Sequence, residues 1–251
     1  MILFDTHAHY DHEDFDPDRN KVLNGLVEKD IGLVLNAASD IESSKKAIEL
    51  SQKYDFIYAS VGIHPHEAKH AGDISEVKEL ADIQKVVAIG EIGLDYYYDL
   101  SPRDIQLEVF SSQIEIALEM DMPVIIHDRD AHRDCLETVK KYPGLKGVFH
   151  CYSGSAEMAK EIVKLGMYIS FAGPLTYKNA KRAVEAARII PKDRILIETD
   201  CPYLSPEPYR GKRNFSGYLI NTAVKLAEIL EITTEEAARI TLDNGKKLFG
   251  V

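Results

Sequence analysis

Near the start of the chain an apolar run, Ile2-Leu3-Phe4, leads into Asp5-Thr6-His7-Ala8-His9, with histidines at i and i+2. On an extended strand residues two apart point to one side, so both imidazoles can face a single point. Neutral imidazole is the commonest protein ligand for transition metals, and the pair reads as half of a metal site. Two histidines in a surface turn would look the same, so the rest of the chain must decide. Five further polar residues end or follow apolar runs: His64 after Val61-Gly62-Ile63, Glu91 after Val86-Val87-Ala88-Ile89-Gly90, His127 after Val124-Ile125-Ile126, His150 after Val148-Phe149, and Asp200 after Ile195-Leu196-Ile197-Glu198-Thr199. Each has a bland reading; Asp200 before Cys201-Pro202, for example, could simply open a turn. Together they would bury many ionisable groups at high cost unless a cation compensates. Leaving His64 aside, four histidines and two carboxylates exceed what one tetrahedral ion needs, which favours two metals. His7, His9, Glu91 and Asp200 are assigned to one, and Glu91, His127 and His150 to the other, with Glu91 bridging. Two divalent ions against two carboxylates leave a formal charge of about +2, suited to an anionic substrate.

The elements that must position these residues follow from periodicity. Strands are expected at 2–5, 32–36, 57–62, 86–91, 123–127, 147–150, 167–171 and 195–199. Helices are expected near 17–29, 40–53, 75–83, 102–121, 130–141, 155–165, 179–189, 217–230 and 234–248. Ser101-Pro102-Arg103-Asp104 offers an N-cap with proline at the first helical position, and Thr233-Thr234-Glu235-Glu236 a capping box. Eight such alternations predict an α/β chain folded as a (β/α)8 TIM barrel, a single domain over 1–251 with an extra C-terminal helix. An open doubly wound sheet shares the alternation, but no Gly-x-Gly-x-x-Gly follows the first strand.

Composition sets the outer limits. The net charge of -11 argues against broad binding along a duplex, though not against a small positive site for one strand end. Asp5 comes too early for a signal peptide, and no run is long enough to span a bilayer. Cys135, Cys151 and Cys201 are odd in number and lack zinc-type spacing; free thiols in a cytoplasmic protein are expected.

The segments Asp5-Thr6-His7-Ala8-His9, Gly62-Ile63-His64-Pro65-His66, Gly90-Glu91-Ile92-Gly93-Leu94-Asp95-Tyr96-Tyr97, His127-Asp128-Arg129-Asp130-Ala131, His150-Cys151-Tyr152-Ser153-Gly154 and Glu198-Thr199-Asp200-Cys201-Pro202-Tyr203 occur in that order. With them the chain resembles the TatD-related deoxyribonucleases, metal-dependent hydrolases of the amidohydrolase superfamily, from residue 5 to Lys212-Arg213-Asn214. The resemblance implies a TIM barrel, a divalent metal centre (Zn, Mg or Mn) and hydrolysis of DNA phosphodiesters, as a 3′–5′ exonuclease on single-stranded ends. Catalysis would rest on Asp200, Glu91 and His64. In this reading a metal-activated water attacks phosphorus, Asp200 serves as ligand and general base, and His64 touches substrate rather than metal. Arg129, Lys212 and Arg213 are candidates for holding phosphates, with solvated surface charge as the competing reading.

Fainter signals complete the set. Ser153-Gly154-Ser155 before a helix could present backbone amides to a phosphate. Tyr96, Tyr97 and Tyr152 could stack on a base or pack at the rim. Glu198 is expected to fix a ligand and His66 to orient its loop; His12, His70 and His132 are expected at the surface. The family usually continues Arg-Asn with Glu-Pro, where this chain has Phe215-Ser216, and commonly has serine at Cys201; the first change would remove an acid near the substrate rim. Two rival functions stand beside the nuclease. One is ester or amide hydrolysis, of a small molecule or an aminoacyl-tRNA; many amide-cleaving relatives carry a carboxylated lysine on strand four, where this chain has Glu91. The other is a metal-stabilised interaction module. No membrane contact and no obligate protein partner are expected.

Overall fold

All eight apolar runs form strands in the computed structural model, which describes residues 1–251. They are β1 (Leu3–Ala8), β2 (Ile31–Asn36), β3 (Ile57–Val61), β4 (Val86–Asp95), β5 (Val124–Arg129), β6 (Gly147–Phe149), β7 (Tyr168–Phe171) and β8 (Ile195–Ile197). The strands pair in parallel and in chain order within one sheet. Hydrogen bonds bring the last strand back to the first: Thr6 Oγ1 donates to the Ile197 carbonyl at 2.9 Å, and the amides of Asp200 and His9 donate to His7 and Cys201 carbonyls. The result is the expected TIM barrel, nearly closed.

Around it run α1 (Arg19–Asn24), α2 (Ile41–Lys53), α3 (Ser75–Ala81), α4 (Arg103–Glu119), α5 (His132–Lys140), α6 (Ala156–Lys164), α7 (Lys181–Ile189), α8 (Leu219–Leu230) and the extra C-terminal α9 (Thr234–Phe249). Thr233 caps α9 by accepting the Glu236 amide, as its sequence predicts. The expected start of α4 is corrected. Pro102 stays extended and the helix begins at Arg103, without a side-chain cap. Ser101 is buried instead and tied elsewhere, donating to the His66 carbonyl at 2.8 Å and accepting the Lys69 amide. No helix is long and apolar enough to cross a membrane.

The barrel interior explains where polar residues can stand. Seven strands each send one buried apolar side chain into a common layer: Phe4, Leu35, Ala88, Ile125, Val148, Tyr168 and Leu196. Leu248 and Phe249, at the end of α9, pack with this layer, and the Phe4 and Phe249 rings meet edge to face at 6.0 Å. Because the pleat repeats every two residues, the next inward positions are His127, His150, Ser170 and Glu198. A polar layer therefore lies directly above an apolar one, toward the C-terminal mouth.

Glu91 breaks that parity, since Ala88 plus two is Gly90. The β4–β5 pairing shifts register between Ile89 and Ile92, and a similar shift lies in β1 between Asp5 and Ala8. Such irregularities re-aim a side chain, here Glu91 and His7, into the barrel mouth. Gly93 then lets β4 pass tightly over β5: its φ is +142°, and a Cβ there would sit 2.0 Å from the His127 carbonyl oxygen.

Candidate metal centre

Seven residues named from the sequence meet at the mouth: His7, His9, His64, Glu91, His127, His150 and Asp200. Glu91 is buried at their centre and its two oxygens face different groups. Oε2 lies 3.2 Å from His7 Nε2 and 3.7 Å from His9 Nε2. Oε1 lies 2.6 Å from His127 Nδ1, 2.8 Å from His150 Nε2 and 3.5 Å from His64 Nε2. Asp200 closes the first group, its Oδ1 being 3.2 Å from His9 Nε2 and 3.7 Å from His7 Nε2. Glu91 thus lies between His7 and His9 on one side and His127 and His150 on the other, while the inner atoms of His7, His150 and Asp200 also come within ligating distance of one another.

The outer nitrogen of each ring shows what the inner one can do. His9 Nδ1–H donates to the Ala37 carbonyl at 2.9 Å, His150 Nδ1–H to Glu198 Oε1 at 3.2 Å, and His127 Nε2–H to Asp95 Oδ2 at 3.2 Å. In its neutral form an imidazole carries one proton, so in that form the inner nitrogens of these three rings would be bare lone pairs. They point at other acceptors: His127 and His150 at Glu91 Oε1, and His9 at Asp200 Oδ1, with His7 Nε2 only 3.1 Å away. Lone pairs held this close repel unless positive charge lies between them. The donor set therefore fits divalent cations, with imidazole and carboxylate in the mixture typical of such sites. Without a cation, protons take that place: against burial, Asp200 raises the His9 imidazole to about 9, and the neighbouring carboxylates raise His127 and His150 as well, so a bound cation would displace protons. Burial also works against charge on Glu91, and His150, His64 and His7 overcome it and hold the carboxyl well below its usual range.

His64 is different. It also stands within ligating distance of Glu91 and His127. However, its Nδ1 accepts the His66 amide at 3.2 Å, which leaves the proton on the inward Nε2. Burial and the neighbouring His127 push its imidazole down to about 4, so it stays neutral. In this tautomer its inward Nε2 carries a proton toward the centre.

The model of the TatD related DNases matches residues 4–250. The chain belongs to that family. It is 46% identical over 255 residues to YabD of Bacillus subtilis and 37% identical over 256 residues to YcfH of Escherichia coli, both uncharacterized metal-dependent hydrolases. These matches span all of this chain and 100% and 97% of the relatives. Among solved structures, the E. coli TatD homologue YjjV superposes with a TM-score of 0.93 at 29% identity, covering 99% of this chain and 98% of that one. The protein is thus a metal-dependent hydrolase of TatD type.

Two further carboxylates lie one contact beyond the cluster. Glu198 receives His150 as expected, and also the Cys151 amide at 2.8 Å and Ser170 Oγ at 2.5 Å. The other is Asp95, within the segment 90–97. It is buried, takes His66 Nε2–H at 2.8 Å as well as His127, and anchors the amides of Tyr97 and Tyr98. Burial opposes its charge, but these donors hold its carboxyl far below the ordinary range. Its signal in the sequence was its place four residues after Glu91 on one strand, which a period of two puts on the same face. Asp95→Asn preserves volume but replaces one accepting oxygen with an amide group. Metal affinity is expected to fall by roughly 10–100-fold, read by competition with a chromogenic chelator, and Tm to fall as well, because the amide group faces N–H donors that the carboxylate accepts.

The remaining candidates separate by place. A cavity of about 650 Å³ opens beside the centre and is lined by His127, His150 and Asp200; Arg129, Tyr97 and Ser153 also reach it. Arg129 stacks over the rings of Tyr97 and Tyr98, at 4.5 and 5.3 Å from their centroids. Lys212 and Arg213 do not line this cavity, contrary to expectation. The Arg213 guanidinium is taken by Asp18 in two hydrogen bonds of 2.8 and 2.9 Å and by the Asp14 carbonyl; the Lys212 ammonium lies over Tyr209. Tyr152 is buried, its hydroxyl on the Ser155 carbonyl, and Tyr96 bonds Asp134. Ser155 caps α6 through its own side chain. His132 pairs with Asp128, and His12 caps a short turn. All three cysteines are free thiols.

Proposed function

We propose that this protein hydrolyses DNA phosphodiester bonds, removing nucleotides from the 3′ ends of single strands, with two divalent cations at the barrel mouth. The observation that carries the reading is the division of Glu91 between two ligand sets. His7, His9, Glu91 and Asp200 would hold one cation, and Glu91, His127 and His150 the other. When bound, such a pair lowers the pKa of water toward 7 and neutralises charge on non-bridging phosphate oxygens.

The chain's own groups supply the rest. Asp200 Oδ1 faces His9, while Oδ2 makes no hydrogen bond and is available to take the proton of the attacking water. His9 and His7 outweigh burial and keep this carboxyl below its usual range, so it is ionised and ready to accept at neutral pH. His64 Nε2–H is aimed to donate to a phosphoryl oxygen as charge builds there. Arg129, braced on two tyrosines, offers a fork to the phosphate from the cavity wall.

The test is digestion of 3′- and 5′-labelled single-stranded DNA with Mg, Mn or Zn added to chelator-stripped protein. Metal-dependent shortening from the 3′ end is expected, and none in chelator. If aminoacyl-tRNA or a small amide is hydrolysed under the same metals while DNA stays intact, the nuclease reading is lost.

A further inference from the structure

The cavity beside the metal centre is larger than one phosphoryl group requires and is not uniform. About 650 Å³ is the size of a site for a whole small ligand. Its inner end carries the ligands. Its middle wall is apolar and aromatic, made by Phe171 at the end of β7 and by Pro174, Leu175 and Tyr177 after it. Its outer end is formed by Lys181 and Arg182, in the first turn of α7.

These two side chains are exposed and form no ion pair, in a protein whose net charge is -11. Nor does stability explain them. A helix N-terminus carries partial positive charge and favours acids, yet the first turn of α7 contains none. Arg129, on the inner side of the same cavity, is likewise free of any carboxylate partner. Asp128 is paired through one oxygen with His132, and Asp130 lines the cavity without an ion pair, so the wall carries charges of both signs, with two unpaired cations adjacent at Lys181 and Arg182. Positive groups at both ends of an apolar wall match an anion, a flat or apolar body, and a second anion in series.

We propose that Lys181 and Arg182 form a second phosphate subsite. It takes the phosphate next to the scissile one, while the intervening sugar and base lie against Leu175 and Tyr177. The inference rests on the phosphodiesterase reading above and adds to it a substrate that is a strand of at least two nucleotides, not a mononucleotide derivative. A base lying against this wall must be unstacked, so the site takes one strand and reads no sequence.

The test is binding, so that it does not depend on turnover. A fluorescent phosphorothioate oligothymidylate is titrated into metal-loaded full-length protein, and anisotropy is followed across a salt series. K181A/R182A is expected to weaken binding on the order of tenfold and to reduce the salt slope by about 0.7, the value for one phosphate contact on a single strand. K246A/K247A removes the same charge from exposed positions near the end of α9, beside the interior layer at the other end of the barrel, and should bind as wild type does. Unchanged affinity in K181A/R182A, equal weakening in the control pair, or no binding by the wild type would overturn the subsite. Failure of the wild type to cleave bis(p-nitrophenyl) phosphate under any metal would instead overturn the phosphodiesterase reading, while the binding comparison would still decide the subsite.

Discussion

Glu91→Gln is expected to leave the fold intact and remove both the second metal and the activity. The carboxylate serves two ligand sets at once, Oε2 toward His7 and His9, Oε1 toward His127 and His150. Glutamine keeps the shape but offers one oxygen, and its amide hydrogens would point at lone pairs or at a cation. Loss of a direct ligand should exceed the roughly 10–100-fold effect of an orienting partner on metal affinity. Hydrolysis should fall by about 10³-fold or more, because the alignment of both cations depends on this group. Metal counting by mass spectrometry would show the stoichiometry dropping from two to one or none. Retention of two tightly bound ions would sink the bridging assignment. Heat stability in chelator is expected to fall in the variant, since the surrounding histidines hold the ionised carboxylate well below its usual range and that favourable interaction is lost.

Much of this architecture was legible because a barrel repeats one rule eight times. Each apolar run had to be a strand, and a polar residue at its end had to reach the mouth, whatever the details of the loops. His127, His150 and Glu198 follow that rule to the letter, two residues above Ile125, Val148 and Leu196 of the apolar layer. Glu91 does not, and only the register shift in β4 shows how it turns inward. Local sequence carries no sign of such a shift, because it depends on the neighbouring strand.

Long-range partners were the other blind spot. Arg213 looked like a phosphate ligand until the fold brought Asp18 to it across most of the chain. The departure at Phe215-Ser216 looked like the loss of an acid at the substrate rim. Phe215 is half-buried with its ring edge-on to Tyr218, Ser216 and the other departure, Cys201, are buried, and none of the three lines the cavity. Ser216 Oγ donates to Asp5 Oδ2 at 2.6 Å and accepts the Tyr10 hydroxyl, while Asp5 holds Thr199, next to Asp200. Burial dominates at Asp5 and lifts its carboxyl to about 7. These substitutions therefore alter the bracing behind the metal centre and not the surface that substrate meets.

Asp200→Asn separates holding the metal from moving the proton. The asparagine keeps an oxygen where Oδ1 stands, near His9 and His7, so much of the first ligand set survives. What disappears is the acceptor: an amide cannot take a proton from water near neutral pH. General-base assistance is worth roughly 10²–10⁴-fold, and kcat should drop by that amount with KM for labelled DNA little changed. The pH profile should change with it, since the limb reporting ionisation of the wild-type base has no counterpart in the variant. Because the histidines hold the wild-type carboxyl low, that limb lies on the acid side of neutrality, and activity above it should be flat until another group titrates. If the variant keeps full kcat while its metal content is normal, the proton is taken elsewhere. The nearest other carboxylate in the cluster, Glu91, is committed through both oxygens, so full activity would point to hydroxide from bulk water as the nucleophile and leave Asp200 as a ligand alone.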